Sequence, residues 1–290
     1  MIMTDFIIFG EILFDCFKDA RTLGGAPLNV ACHLSRLGMK GKVVSAVGDD
    51  AYGKEALQAM KNENMDISAV AVLDNAPTGR ADIALNGKNA DYTFNHPAAW
   101  DLIPMPENME KEARIFYFGT LAQRDEKSRK TLHDLLSSVK ADHIFCDVNI
   151  RKNFYTEEIV RDSLRSCTIL KLNEEELPLI LRSASCSDIS TLMEKSDIGT
   201  VILTQGKKGT ALYTQNDIHH FDISPVPVVD TVGAGDSFSA GFLASLVKSG
   251  DAVKAAETGS ILADYVVTKR GAVPPYDAGI KLRLHEEGIL

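Results

Sequence analysis

Apolar positions along the chain follow two rhythms. Short unbroken runs rich in β-branched and aromatic residues occur at Phe6–Phe9, Lys42–Val47, Ile115–Phe118, His143–Val148, Thr168–Leu172 and Val201–Thr204. A strand with one wet face alternates apolar and polar residues, so unbroken runs predict strands covered on both faces. Between several of them lie helical patterns, near Pro27–Leu37, Tyr52–Asn62, Glu126–Val139, Glu157–Arg165 and Glu174–Leu181. Strand, helix and strand in repetition predict an α/β architecture, a parallel sheet with helices on both faces. In such sheets ligands bind beyond the carboxyl ends of the strands.

Two stretches depart from this rhythm. In Ser68–Phe94 the segments Ser68–Val72, Arg80–Leu85 and Ala90–Phe94 have no helices between them, and Asn86-Gly87 is a strong hairpin turn. We expect a small antiparallel sheet inserted in the body and joined by Leu13–Phe17. So small a sheet cannot bury both faces alone, and it should cover a ligand, a partner subunit, or both. Ala211–Ile223 reads as another antiparallel pair. No internal repeat, low-complexity segment or linker divides the 290 residues.

Against 40 acidic residues stand 31 basic ones, a net charge of −9. Broad binding of nucleic acid is excluded, because it needs clustered Lys and Arg. An anionic ligand must instead be held by a local device. No apolar run approaches the ~18–20 residues of a membrane span, and the first residues lack the basic start of a signal peptide. Five cysteines (16, 32, 146, 167, 186) with no CxxC pair fit reduced thiols in a cytoplasmic protein. The seven histidines form no HxxxH or Cys/His cluster, so no zinc site is expected, and His33, His133 and His143 read as surface or packing residues.

The strongest chemical signal is Asp230-Thr231-Val232-Gly233-Ala234-Gly235-Asp236, which opens a helix with Phe238, Phe242 and Leu246 on one stripe. Glycines at a helix start admit a ligand close to the backbone, and the unpaired N–H groups there favour an anion. Asp236 is the odd element. It either caps the helix favourably or acts as a base beside an anion hole, where a hydroxyl loses a proton while attacking phosphorus. The physics of the segment alone leaves both open.

This string, with Gly24-Gly25-Ala26-Pro27-Leu28-Asn29, resembles the two signatures of the ribokinase-like (PfkB) carbohydrate kinases, DTxGAGD and GG…N, in the same order and spacing. The resemblance spans essentially the whole chain. It implies a kinase domain over 1–290, with a three-layer body around a mostly parallel sheet and a small antiparallel β lid from about 11–20 and 68–96. It implies an ATP-dependent reaction with Mg²⁺. By the same resemblance Asp236 is the catalytic base, and the amides of Gly233, Ala234, Gly235 and Asp236 form the anion hole. Asp15, in Phe9-Gly10-Glu11-Ile12-Leu13-Phe14-Asp15, would accept hydrogen bonds from sugar hydroxyls, with Gly24, Gly25 and Asn29 beside the substrate. Arg151, ending Asp147-Val148-Asn149-Ile150-Arg151, would stabilise phosphoryl charge or hold a substrate oxygen or carboxylate.

Asn173-Glu174-Glu175-Glu176 resembles the family's N-x-x-E element, where Glu176 would order water around Mg²⁺ and Asn173 would lie near the phosphates. The same spacing is that of a capping box, and both readings stand. Lys171 could reach a nucleotide phosphate. Thr204, Gly206 and Gly209 resemble the nucleotide loop, or else make a glycine turn. Asp230 and the backbone of Val232, with that of Val266, Lys269 and Gly271, resemble a K⁺ loop, although Pro275 stands where relatives can carry a hydroxyl. A homodimer through the lid is the family's common habit.

Gly48-Asp49-Asp50-Ala51-Tyr52-Gly53-Lys54-Glu55 nearly spells a phosphate-binding P-loop, but Glu55 replaces the Ser or Thr and two acids would repel phosphate. Tyr92, Phe94, His96 and Trp100 cluster on or after the lid, and either stack on a sugar or pack an interface. The Gly10-Glu11 and GGAPLNVA segments look most like fructokinases, which implies D-fructose as acceptor. The alternatives are 2-keto-3-deoxygluconate, with Arg151 or Arg124 on its carboxylate, and a non-catalytic sugar- or nucleotide-binding module on the same fold.

Overall fold

Strand β1 (Thr4–Phe9) sends Phe6 and Ile8 into one apolar core and Ile7 and Phe9 into another, and all four are buried. This is the two-sided burial that its unbroken run predicts. The computed structural model describes residues 3–18, 20–86, 89–151 and 154–290. Beyond β1 the elements are β2 (Leu13–Cys16), β3 (Arg21–Gly24), α1 (Ala26–Arg36), β4 (Gly41–Gly48), α2 (Ala51–Asn62), β5 (Val70–Leu73), β6 (Gly79–Asn86), β7 (Asn89–Phe94), β8 (Glu112–Gly119), α3 (Glu126–Ser138) and β9 (Lys140–Asp147). They continue as α4 (Glu157–Ser166), β10 (Ile169–Asn173), α5 (Leu177–Ala184), α6 (Ile189–Ser196), β11 (Thr200–Thr204), β12 (Thr210–Thr214), β13 (Ile218–Phe221), α7 (Ala234–Ser249), α8 (Ala252–Val267) and α9 (Ala278–Glu286).

A nine-stranded sheet runs β13-β12-β11-β10-β9-β8-β1-β4-β5. Its strands are parallel from β11 to β5, and β12 and β13 add antiparallel at one edge. Helices α1, α2, α7, α8 and α9 bury residues such as Leu34, Phe242 and Leu262 on one face. Helices α3 to α6 bury Leu132, Leu164, Ile180 and Leu192 on the other. Each such side chain contributes about 1.5–3 kcal/mol on burial, so packing on the sheet, more than helix propensity, holds these short helices. Among the described residues no helix is long and apolar enough to cross a membrane, and all five cysteines are free.

The second sheet has four strands in the order β3-β2-β6-β7. Its outer pairs are antiparallel, but β2 and β6 at its centre run parallel, with Leu13 opposite Gly79. Two expectations are corrected here. Ser68–Val72 does not join this sheet. As β5 it pairs parallel with β4 at the far edge of the large sheet, Ser45 opposite Val70, with α2 as the crossover. Ser68–Phe94 lacks helices, but the helix that decides the pairing of its first segment lies before it. In its place the small sheet takes β3, whose Arg-Thr-Leu-Gly sequence is too polar to read as a strand. β6 and β7 pair antiparallel with Asn86 opposite Asn89, and Gly87 of the expected Asn86-Gly87 turn lies outside the described residues.

Candidate active site

The carboxyl ends of β1, β9, β10 and β11 converge on a cavity of about 350 Å³, into which α7 points its N-terminus. Glu11 just after β1, Asp147, Asn173 and Thr204 line it from the large sheet, and Asp15, Tyr92 and Phe94 from the small one. Ligand space beyond the strand ends is where an open α/β sheet provides it.

Asp236 lies in the first turn of α7, and its Oδ2 accepts a 2.7 Å hydrogen bond from Asn29 Nδ2 on α1. The two signature segments, far apart in the chain, therefore meet at one carboxylate. Burial raises the Asp236 carboxyl to about 6; Asn29, Lys171 and Arg151 oppose the shift and Asp147 adds to it. Gly233 takes a left-handed conformation (φ 77°) just before the helix. A Cβ there would drive into Ala272 Cα, so glycine is required twice over. The first i to i−4 bond of the helix is Ser237 N–H to Gly233 O at 2.8 Å, and the N–H groups of Gly235 and Asp236 precede it with no intrahelical acceptor. A Cβ on Gly235 would stand 3.3 Å from Lys171 Nζ, so the loop and the lysine are in close reach.

Lys171 donates to Asp147 Oδ2 at 2.7 Å in a nearly buried ion pair. The same oxygen accepts from Tyr117 Oη at 3.3 Å and Ser239 Oγ at 3.4 Å. Asn173 and Glu176 form the reciprocal cap that their spacing allows. Asn173 Oδ1 accepts from Glu176 N–H at 2.9 Å, and Glu176 Oε2 accepts from Asn173 N–H at 2.8 Å. That turn delays α5 to Leu177, past the expected start at Glu174. Glu176 Oε1 also accepts from Ile150 N–H at 2.8 Å, which fixes the segment leading to Arg151. Burial raises the Glu176 carboxyl above its usual range. Arg151 is exposed at the cavity mouth, 5.9 Å from the Tyr92 ring centroid.

The other expected residues are spread over the cavity and the turns beside it. Gly25 and Val232 line the cavity with those above. Gly24 does not, but its missing side chain leaves room for Asp15 Oδ2, 3.0 Å from where a Cβ would stand. Ala234 begins α7, its N–H turned back to Thr231 O at 3.3 Å. Gly206 and Gly209 form the turn between β11 and β12 and contribute nothing to the lining. Asp230 ties two loops together by accepting from Val232 N–H and Gly271 N–H, each at 3.1 Å. Val266 O accepts from Lys269 N–H at 2.9 Å where α8 ends, so Asp230, Val232, Val266, Lys269 and Gly271 share one loop cluster beside the cavity. Among the described residues no group of three or more His, Cys, Asp or Glu side chains could hold a metal ion unaided.

Three side chains have other employment. Arg124 is 4% exposed and forks onto Asp101 at 2.6 and 2.7 Å, 3.8 Å from the Trp100 ring centroid, and it does not line the cavity where a substrate carboxylate would lie. Trp100 is wholly buried and does not line the cavity. Asp50, in the P-loop-like segment, caps α2 through Gly53 N–H and binds Thr78.

Glu11 was given no role by sequence reasoning, yet it lines the cavity and is 3% exposed. Burial lifts its carboxyl to about 7, with the Asp236 charge adding and Arg151 opposing. An acid placed directly after a buried strand was the available signal. Asn149 and Leu121 also line the cavity.

A doubly covered parallel sheet with free amides at a helix start and a carboxylate beside them suits phosphoryl transfer. The chain matches the pfkB family carbohydrate kinase model over residues 2–278, and it belongs to that family. A fructokinase of Salmonella typhimurium is 30% identical over 238 residues, 78% of either chain. A sugar kinase of Pyrococcus horikoshii, PH1459, solved in complex with ATP, superposes with a TM-score of 0.87 at 26% identity, covering 98% of this chain and 100% of that one. A fructokinase of Vibrio cholerae, solved with fructose, ADP and calcium ion, gives a TM-score of 0.84 at 22% identity, covering 97% and 98%, a likeness of fold.

Proposed function

We propose that this ATP-dependent sugar kinase is a fructokinase, transferring the γ-phosphoryl group to a primary hydroxyl of D-fructose. The observation that carries the catalytic assignment is the 2.7 Å bond between Asn29 and Asp236 at the head of α7. It puts the substrate-side signature and the phosphate-side signature at one point.

In this reading Asp15, Asn29 and the backbone at Gly25 hold the sugar. Asp236 takes the proton of the attacking hydroxyl as its oxygen bonds to the γ-phosphorus and the bond to ADP breaks. The N–H groups of Gly233, Gly235 and Asp236 face the oxygens that carry the transferring charge, that of Ala234 being engaged by Thr231 O, and Arg151 adds a cation from the mouth. Lys171 sits beneath that loop, and Asn173 and Thr204 lie toward the nucleotide. Mg²⁺ would supply charge neutralisation on the phosphates. Both oxygens of Glu176 already accept one amide each and keep lone pairs for its water shell. The loop cluster that Asp230 ties together is the proposed seat of K⁺.

The charge of the cavity supports a neutral acceptor. Glu11, Asp15, Asp147, Glu176 and Asp236 face it against Lys171 and Arg151, and Lys171 is already paired with Asp147. Among the described residues the cations that line the cavity are Lys171 and Arg151, and Arg124 is held by Asp101 away from it. The fructokinase names of relatives at about 30% identity point the same way. A homodimer through the small sheets belongs to this reading, and sedimentation velocity tests it.

ADP release with MgATP and D-fructose, ketodeoxygluconate, ribose or adenosine tests the acceptor, and fructose should lead. Preference for ketodeoxygluconate would reassign Arg151 to its carboxylate. Asp236→Asn should lower kcat by about 10²-fold or more, the scale of general-base work. Full turnover by that variant would remove the base assignment, and no turnover by the wild type on any acceptor would favour a binding module.

A further inference from the structure

Helix α1 grips the far side of the phosphoryl-binding loop along one stripe. Asn29, His33 and Arg36 are spaced i, i+4 and i+7, one face of a helix. Asn29 bonds Asp236 at 2.7 Å. One turn on, His33 Nε2 lies 2.9 Å from Ala272 O, and its Nδ1 lies 2.7 Å from Tyr276 Oη. A further turn on, Arg36 Nη1 donates to Val273 O at 3.2 Å and Pro274 O at 2.6 Å, while Glu63 holds its guanidinium at 2.6 and 2.8 Å. The segment seized in this way, 272–274, is the one that backs Gly233.

We infer that His33 is a positioning residue that sets the Gly233–Asp236 loop through Ala272. A carbonyl oxygen only accepts, so Nε2 must carry the hydrogen that Ala272 O receives. In the neutral ring Nδ1 is then an acceptor, and Tyr276 O–H donates to it. Burial holds the His33 ring down to about 4, so it stays neutral and keeps this one tautomer at neutral pH. Ala272 in turn stands against Gly233, where a Cβ would collide with it. Gly271, the residue before, is tied to Asp230 at the start of the same loop. A displacement of Ala272 therefore reaches the loop through van der Waals contact at Gly233 and through the Asp230 link. Asn29 and His33 ride on one rigid helix, so the hydrogen bond to the base and the brace behind the loop keep a fixed spacing.

This inference rests on the catalytic reading of Asp236 and its loop, and the experiment separates the two. Turnover is measured for wild type, His33→Ala, His33→Gln, Tyr276→Phe and Asp236→Asn, below the unfolding temperature of each and per folded molecule by circular dichroism. His33→Ala should lower kcat by about 10-fold or more, as misplacement of a reacting group does, and leave the sugar KM within about 3-fold. His33→Gln places an amide N–H near the position of Nε2 and should recover most of the loss. Tyr276→Phe frees the tautomer but leaves the Ala272 bond available, and should fall between. A lowered melting temperature with wild-type kcat in all three His33 and Tyr276 variants overturns the inference. Should His33→Ala not fold, the ranking of His33→Gln and Tyr276→Phe decides: kcat of Tyr276→Phe at the wild-type value, with His33→Gln also unchanged, counts against it. Full turnover by Asp236→Asn removes the catalytic reading and the inference with it. An inactive Asp236→Asn beside a fully active His33→Ala removes the inference alone.

Discussion

Glu11 and Asp236 share the cavity and shift in the same direction, but with different consequences. Burial first, with the Asp236 charge adding for Glu11 and the Asp147 charge for Asp236, lifts them to about 7 and about 6. For a base this sets an acid limb: kcat/KM should fall as pH drops through about 6. Between its ordinary value of 4.5 and about 7, folded Glu11 binds more protons than the unfolded chain, so stability falls as pH rises across that window. Glu11→Gln escapes this loss. By urea unfolding of the free protein it should be more stable than wild type at pH 8, by on the order of 3 kcal/mol at most, with the gap closing below about pH 4.5. Equal stabilities at both pH values would show that Glu11 is solvated. Asp236, Asn29 and Asp15 were each legible as members of motifs. The bond across 207 positions between Asn29 and Asp236 was not, because a sequence orders side chains without placing them. Glu11 went unassigned because nothing local separates a buried acid from one at a wet strand end.

At the scale of elements, the head of α7 depends on what lies beneath it. Lys171 opposes the upward shift of Asp236 and neutralises Asp147. Lys171→Met should move the acid limb of kcat/KM to higher pH. It should also cost about 3–5 kcal/mol, the range for leaving one half of a buried pair unmatched. An unmoved limb in a folded variant would remove Lys171 from the electrostatics of the base. The strands of the large sheet were legible because double burial writes unbroken apolar runs. Helix α8 was not, because small residues do its packing. Gly241 of α7 and Gly259 of α8 meet so closely that a Cβ on Gly241 would lie 3.0 Å from Gly259 Cα. Such a helix carries little of the large-residue stripe that periodicity detects. Helices α6 and α9, eight and nine residues long, are too short to establish a period.

At the scale of the molecule, the cavity is walled by both sheets, so ligands bridge them. Fructose and MgATP at about 100 times their dissociation constants should each add about 2.7 kcal/mol, or roughly 5–10 °C in melting temperature for a chain of this size. An acceptor sugar that produces no shift at saturation would not be bound by this site. The three-layer body was legible from the alternation of strands and helices, and the small sheet from the gap in that alternation. Its membership was not, since the pairing of β5 with β4 and of β3 with β2 depends on tertiary contacts. The order of the elements also bears on biosynthesis. Both sheets are complete at Phe221, but α7, α8 and α9 come afterwards. A nascent chain halted there would leave Tyr117, Phe145, Ile202 and Leu212 without the helices that cover them. It would be adhesive, a ready client for chaperones, and it would have no Asp236. The contacts of Ala272 and Tyr276 emerge later still, so the proposed site is complete only once residue 276 has left the ribosome.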